Sequence, residues 1–194
     1  MRSSTSRAQP QPTWTEVKKH LTKWDHAALL GLLGDLYRLS KDNQAFLHAR
    51  LGVGEDPLRP YKDAIARWMF PDLMARQDYS VAKAKKALSD YRKAAGDKEG
   101  LLELMTFFCE EAAAFATDIA LDDEGYYDAL VKMFGEALST ARELSTERRE
   151  PFVARLLRVG RLCAGVGYYV GDDLEQMLSA RWIKHDHPQL RSPV

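Results

Sequence analysis

The stretch after Asp97, "KEGLLELMTFFCEEAAAFATDIA", constrains the fold more than any other part of the chain. Its apolar residues recur at helical spacing and cover almost the whole circumference through Phe115, and a helix of that kind has to be surrounded by other helices. From Trp14 onward the remaining segments are also helical in period, and none shows the alternation or the β-branched enrichment of a strand. The spacing therefore predicts an all-α fold of eight to nine helices. Short connections between them favour antiparallel neighbours stacked as helical hairpins, in a bundle or a short solenoid-like array.

Boundaries follow from caps and breakers. Trp14, Val17, Leu21 and Trp24 share one face of a first helix, and Asp25 caps a second, "HAALLGLLGDLYRLS", with leucines over more than half its surface. Asp42 is the expected cap of "NQAFLHARLG", closed by Gly52. A helix from Pro57 to Phe70 ends at Pro71, and Ser80 caps "VAKAKKALSDYRKAA", whose inner face carries Val81, Ala84, Leu88 and Tyr91 until Gly96. After Asp122 and Asp123 comes a helix with Tyr126, Leu130, Met133, Phe134, Ala137 and Ala141 on one stripe. Beyond Ser145, Pro151 implies a short turn and then a helix from about Pro151. Asp172 is the expected cap of a last helix, Leu174 to Trp182. One domain over residues 14–183 is expected, between tails at 1–13 and 184–194. "YKDAIARWM" and "YYDALVKMF", 65 residues apart, share Tyr, Asp and Ala at matching offsets, which hints at a repeat.

At 194 residues with 45% apolar content the chain can bury a core without staples. Cys109 and Cys163 lie inside apolar helical patterns and read as core residues of a protein in a reducing cytoplasm. The longest uncharged run is Leu162 to Gly171, far short of the about 20 apolar residues of a membrane span. Twenty-eight Lys and Arg balance 28 Asp and Glu, so no net field draws in nucleic acid or an anionic membrane. The charges are nonetheless segregated: Glu99 to Asp128 carries nine acids and no base, between two base-rich segments. Pairing between neighbouring helices is the expected result.

Two acid knots invite a chemical reading. Asp122-Asp123-Glu124 precedes one Gly-Tyr-Tyr, and Asp172-Asp173 follows another. Asp123, Tyr127, Asp172 and Asp173 are the candidate polar cluster, which an enzyme or metal-binding protein would assemble from separate helices. Capping explains the acids without it, because carboxylates at helix starts satisfy free N–H groups, and neither segment has the spacing of a calcium loop. "SVAK" at Ser80 mimics an acyl-enzyme motif but lacks its companion elements. His185-Asp186-His187 has no third ligand at useful spacing. Lys83, Lys85, Lys86, Arg92 and Lys93 spread around their helix with no stacking aromatic among them. Arg148, Arg155 and Arg158 share one side, away from Phe152, Leu156 and Val159, and form the better basic patch for weak nucleic-acid binding. No catalytic set, cofactor or metal is implied.

The runs "SVAKAKKALSDYRKA", "DDEGYYDALVKMFGEAL" and "VGYYVGDDL", with "LSKDNQAFLHARL" nearer the start, resemble an uncharacterised bacterial family of small all-helical proteins, catalogued as a domain of unknown function. The likeness covers about Val17 to Trp182. It implies a cytoplasmic helical domain and no site residue. A non-catalytic module that binds another protein is the expected function.

Overall fold

The structure, a computed structural model, describes residues 11–179. Among them are nine α-helices, one 3-10 turn and no strand, so the chain is an all-helical bundle protein. It divides into two compact units, Met1–Gln44 and Ala45–Val194.

The first unit holds α1 (Trp14–Leu21), α2 (His26–Leu39) and the start of α3 (Lys41–Leu51). A capping box opens α1: the Thr13 N–H donates to the Glu16 carboxylate at 2.6 Å. The helix stops at Leu21, earlier than the stripe through Trp24 implies. Asp25 accepts from the Ala28 N–H at 2.7 Å, capping α2 as expected. The cap of α3 is Ser40, which accepts from the Asn43 N–H at 3.1 Å, and Asp42 falls inside the first turn instead. The side-chain amides of Asn43 and Gln44 then donate to the Leu36 and Tyr37 carbonyls, at 2.6 and 3.1 Å. These satisfy two of the last carbonyls of α2 that no helical N–H can reach.

The second unit contains α4 (Arg59–Met69), α5 (Val81–Ala94), α6 (Lys98–Asp118), α7 (Glu124–Ala141), α8 (Thr146–Leu162), the 3-10 turn Cys163–Gly165 and α9 (Val170–Leu178). Helix α6 is central, as its all-round apolar pattern requires: α4, α5, α7 and α8 all pack on it, and Leu102, Leu104, Phe108, Cys109 and Ala112 are fully buried. Helix α9 packs on α7 and α8. Ser80 and Asp97 cap α5 and α6 through the Lys83 and Gly100 N–H groups. Gly52 and Gly96 take φ of 62° and 69°, the left-handed turn that glycine adopts cheaply at a helix end. Gly100 has a different reason: a Cβ there would sit 2.1 Å from the Tyr91 hydroxyl, which donates to Asp97.

Three boundaries differ from expectation. Helix α4 begins at Arg59 with Pro60 in its first turn, so Pro57 lies outside it. Helix α8 runs unbroken from Thr146 through Pro151. Pro151 is exposed, while Phe152, Val153, Leu156 and Val159 are buried, and that packing carries the helix past the missing N–H. Helix α9 starts at Val170, so Asp172 and Asp173 lie within its first turn; the N-cap is Tyr169, held in the left-handed region.

Candidate functional site

The expected pairing between α6 and its neighbours is present. Lys62 on α4 meets Glu103 at 2.8 Å, Lys98 meets Glu143 at 2.6 Å, and Arg148 pairs with Glu99. Arg155 on α8 grips Glu110 with two nitrogens, at 2.8 and 2.6 Å, and also holds Glu103. The fork geometry of guanidinium on carboxylate makes this the most directional of the set. The Arg148, Arg155 and Arg158 patch is divided by these pairs: Arg155 is mostly buried and committed to α6, Arg148 is exposed but paired with Glu99, and Arg158 is exposed. Among the α5 bases, Lys86 and Lys93 pair with Asp90, while Lys83 lies over the Trp68 ring at 3.8 Å, with Arg67 also on that ring at 4.2 Å. An aromatic does flank that lysine set, contributed by α4.

Chemistry concentrates instead where three segments meet: the loop from Phe70 to Ser80, the junction of α6 and α7, and residues 167–170. The Tyr79 hydroxyl donates to Asp123 at 2.5 Å, while the other oxygen of Asp123 caps α7 through the Tyr126 N–H at 3.0 Å. The buried Tyr126 hydroxyl donates to the Met69 carbonyl at 2.6 Å, and Tyr127 to the Leu121 carbonyl at 2.5 Å. Tyr168 donates to Asp122, and its ring lies against Tyr127 with centroids 5.4 Å apart. The rings of Phe70, Phe115, Tyr79 and Tyr126 continue this contact chain.

The two Gly-Tyr-Tyr motifs are thus neighbours, but through tyrosines rather than through paired acids. Of the candidate cluster, Asp123 and Tyr127 sit in the network; Asp172 and Asp173 are exposed on α9. Asp122 serves Tyr168 rather than a helix N-terminus. The hydrogen bond from Tyr79 holds the Asp123 carboxyl below its ordinary value, and the same bond raises Tyr79. Burial raises Tyr126 and Tyr127. Every tyrosine of the network with a shift is held more firmly as the phenol, and Asp123 as the carboxylate, so the array joins segments and offers no phenolate base. Cys109 and Cys163 are buried free thiols, the first pushed well above its usual value by burial and the second to about 11, so both are poor nucleophiles.

Backbone strain gathers in the same place. Arg76, Ala120, Tyr168 and Tyr169 take positive φ of 53°, 47°, 59° and 59°, and they are the only non-glycine residues to do so among those described. Each costs about 1–2 kcal/mol. Beside this network Phe70, Pro71, Asp72, Leu73, Met74, Phe115, Asp118 and Ile119 line a hollow of about 330 Å³. Sequence reasoning missed Tyr79, Met74 and Ile119. The one available signal was the position of Tyr79 directly before the Ser80 cap, where an apolar residue commonly packs.

Among the described residues no group of three or more His, Cys, Asp and Glu side chains is placed to hold a metal ion, and no helix is long and apolar enough to cross a membrane. His185, Asp186 and His187, and Trp182 with them, lie outside the described residues. No family model, curated protein or solved structure matches the chain.

Proposed function

We propose that this protein works by binding another protein, using the apolar face of its first unit. The observation that carries the reading is that α1 and α2 have no fully buried side chain, with only Leu21, Leu29 and Leu32 of their leucines half-buried, although both helices are rich in large apolar residues. Leu30, Leu33 and Tyr37 recur at i, i+3 and i+7 on α2, with Leu36 beside them, and all four are exposed. Trp14, Val17 and Trp24 of the first-helix stripe are exposed as well. Contiguous apolar surface of this kind is unfavourable in water and marks places where another surface docks. The α2 face carries no charge: Asp35 and Arg38 lie on the other side of the helix and pair with each other at 2.5 Å. An amphipathic helix lying in an apolar groove of the partner is the recognition mode that fits.

Affinity capture from the native cells, comparing the natural chain with a Leu33→Asp, Leu36→Asp double variant, tests this. A protein recovered with the natural chain and lost with the variant, at equal melting temperature, supports the reading. Capture that the variant leaves unchanged, or that yields no protein, removes it.

A further inference from the structure

A second surface, on other residues, goes beyond that reading. We infer that the hollow between the Phe70–Ser80 loop and the end of α6 receives a short basic segment of a partner protein, with one large apolar side chain inserted and lysine or arginine on either side of it. Its shape comes first. The hollow holds about 330 Å³, the low end for a ligand site and enough for one or two side chains. Phe70, Pro71 and Phe115 form its walls, and Leu73, Met74 and Ile119 are exposed around it. Met74 is 95% exposed, and an unbranched thioether in that position adapts to whatever enters.

Charge then selects the occupant. Asp72 and Asp118 line the hollow, and Asp122 and Glu124 are exposed a few residues further on. Among the described residues none of these four carboxylates is in an ion pair, whereas Glu99, Glu103 and Glu110, earlier on α6, all are. Arg76 is the one base in the loop. Asp118 occupies the last turn of α6, where the helix dipole already places about half a negative charge, and no basic residue accompanies it there. Cations brought by a partner would relieve that repulsion, and an acidic partner would worsen it. Arg76 and Ala120, just beyond the two segments that line the hollow, both take left-handed backbone.

Three short labelled peptides, added to the full chain and followed by fluorescence anisotropy, test this. One carries a single phenylalanine flanked by lysine and arginine, the second the same phenylalanine flanked by glutamate, and the third alanine in place of phenylalanine between the bases. The first should bind at least about tenfold tighter than either control, and rising salt should weaken it. Met74→Ser and Asp118→Lys should each weaken it by about tenfold, because one removes apolar contact and the other the attracting charge. Both positions are exposed, so melting temperature should hold. The Leu33→Asp, Leu36→Asp variant should bind the first peptide as the natural chain does, which separates failure here from failure of the α2 reading. Equal binding of all three peptides, no binding, or indifference to both substitutions overturns the inference. So does self-association of the chain that Met74→Ser abolishes, since that would assign the hollow to a second copy.

Discussion

Helices α2 and α6 look alike as strings of apolar residues and differ completely in what covers them. Helix α6 buries Leu102, Leu104, Phe108, Cys109 and Phe115 among four neighbours, and α2 has no fully buried side chain, only the half-buried Leu29 and Leu32. Apolar periodicity states which side chains need cover, and says nothing of where the cover comes from. In the second unit the chain supplies it. In the first, Leu30, Leu33, Leu36 and Leu39 stay exposed, and substitutions in the two regions should separate accordingly.

The largest effect is expected from Leu88→Asp on α5, whose native side chain is only 4% exposed. A carboxylate there has no partner, and the loss should reach at least about 4 kcal/mol, a fall of about 10 °C or more in melting temperature. Calorimetry checks it. An unchanged transition would mean that the second unit has no more fixed an interior than the first.

Next in size is Arg155→Met. It strips the guanidinium from Glu103 and Glu110 and leaves two partly buried carboxylates, a cost of roughly 1–3 kcal/mol. The pH dependence sharpens this. Burial disfavours the ionised Glu103, but hydrogen bonds from Arg155 and Lys62 outweigh it and hold the group below its ordinary 4.5. A lowered carboxyl contributes stability that is fully present above 4.5 and is lost as pH falls through the folded value. The natural chain should therefore lose melting temperature below pH 4.5 more steeply than Arg155→Met, in which Glu103 keeps only Lys62. Glu111, raised by burial and by Glu110, acts in the opposite sense but does so in both proteins. Parallel pH profiles would show that the Arg155 pairs contribute nothing measurable.

A smaller loss, about 1 kcal/mol, is expected of Tyr79→Phe, which removes the hydrogen bond to Asp123 and leaves its capping role intact. Chemical denaturation resolves a change of that size, and no change would mean that the Tyr79–Asp123 bond does not tie the Phe70–Ser80 loop to α7. Much around this bond was legible beforehand: Ser80, Asp97 and Asp123 cap their helices as side-chain chemistry demands, and α5 and α6 fall where their periodicity puts them. The tyrosine network was not, because it joins residues 44 and 46 positions apart, and no local pattern encodes such pairs. Tyr168 and Tyr169 add a second reason. Local rules assign left-handed backbone to glycine, and Gly167 stands next to them, yet the tyrosines take it. The contact of Tyr168 with Asp122 and Tyr127 outweighs the local preference, just as buried Phe152 and Leu156 outweigh Pro151. Arg155 was misread because at helical spacing it lies beside Phe152 and Val159 rather than opposite them, on the flank of the buried face, where Glu103 and Glu110 of α6 meet it.

The smallest effect is the one that tests the comparison most directly. Leu33→Asp changes a leucine as large as Leu88, in a more apolar helix, to the same carboxylate. Because Leu33 is 45% exposed, the charge stays hydrated and the cost should be about 0.5 kcal/mol or less, mostly the poorer helix propensity of aspartate. Thermal melts of the two variants side by side give the answer. A loss at Leu33 approaching that at Leu88 would mean that the α2 face is covered within the isolated chain, and the leucines would then be core after all. A near-zero loss together with a loss of partner capture would identify them as surface kept apolar for binding, since folding alone gives no reason to keep leucine where water reaches it.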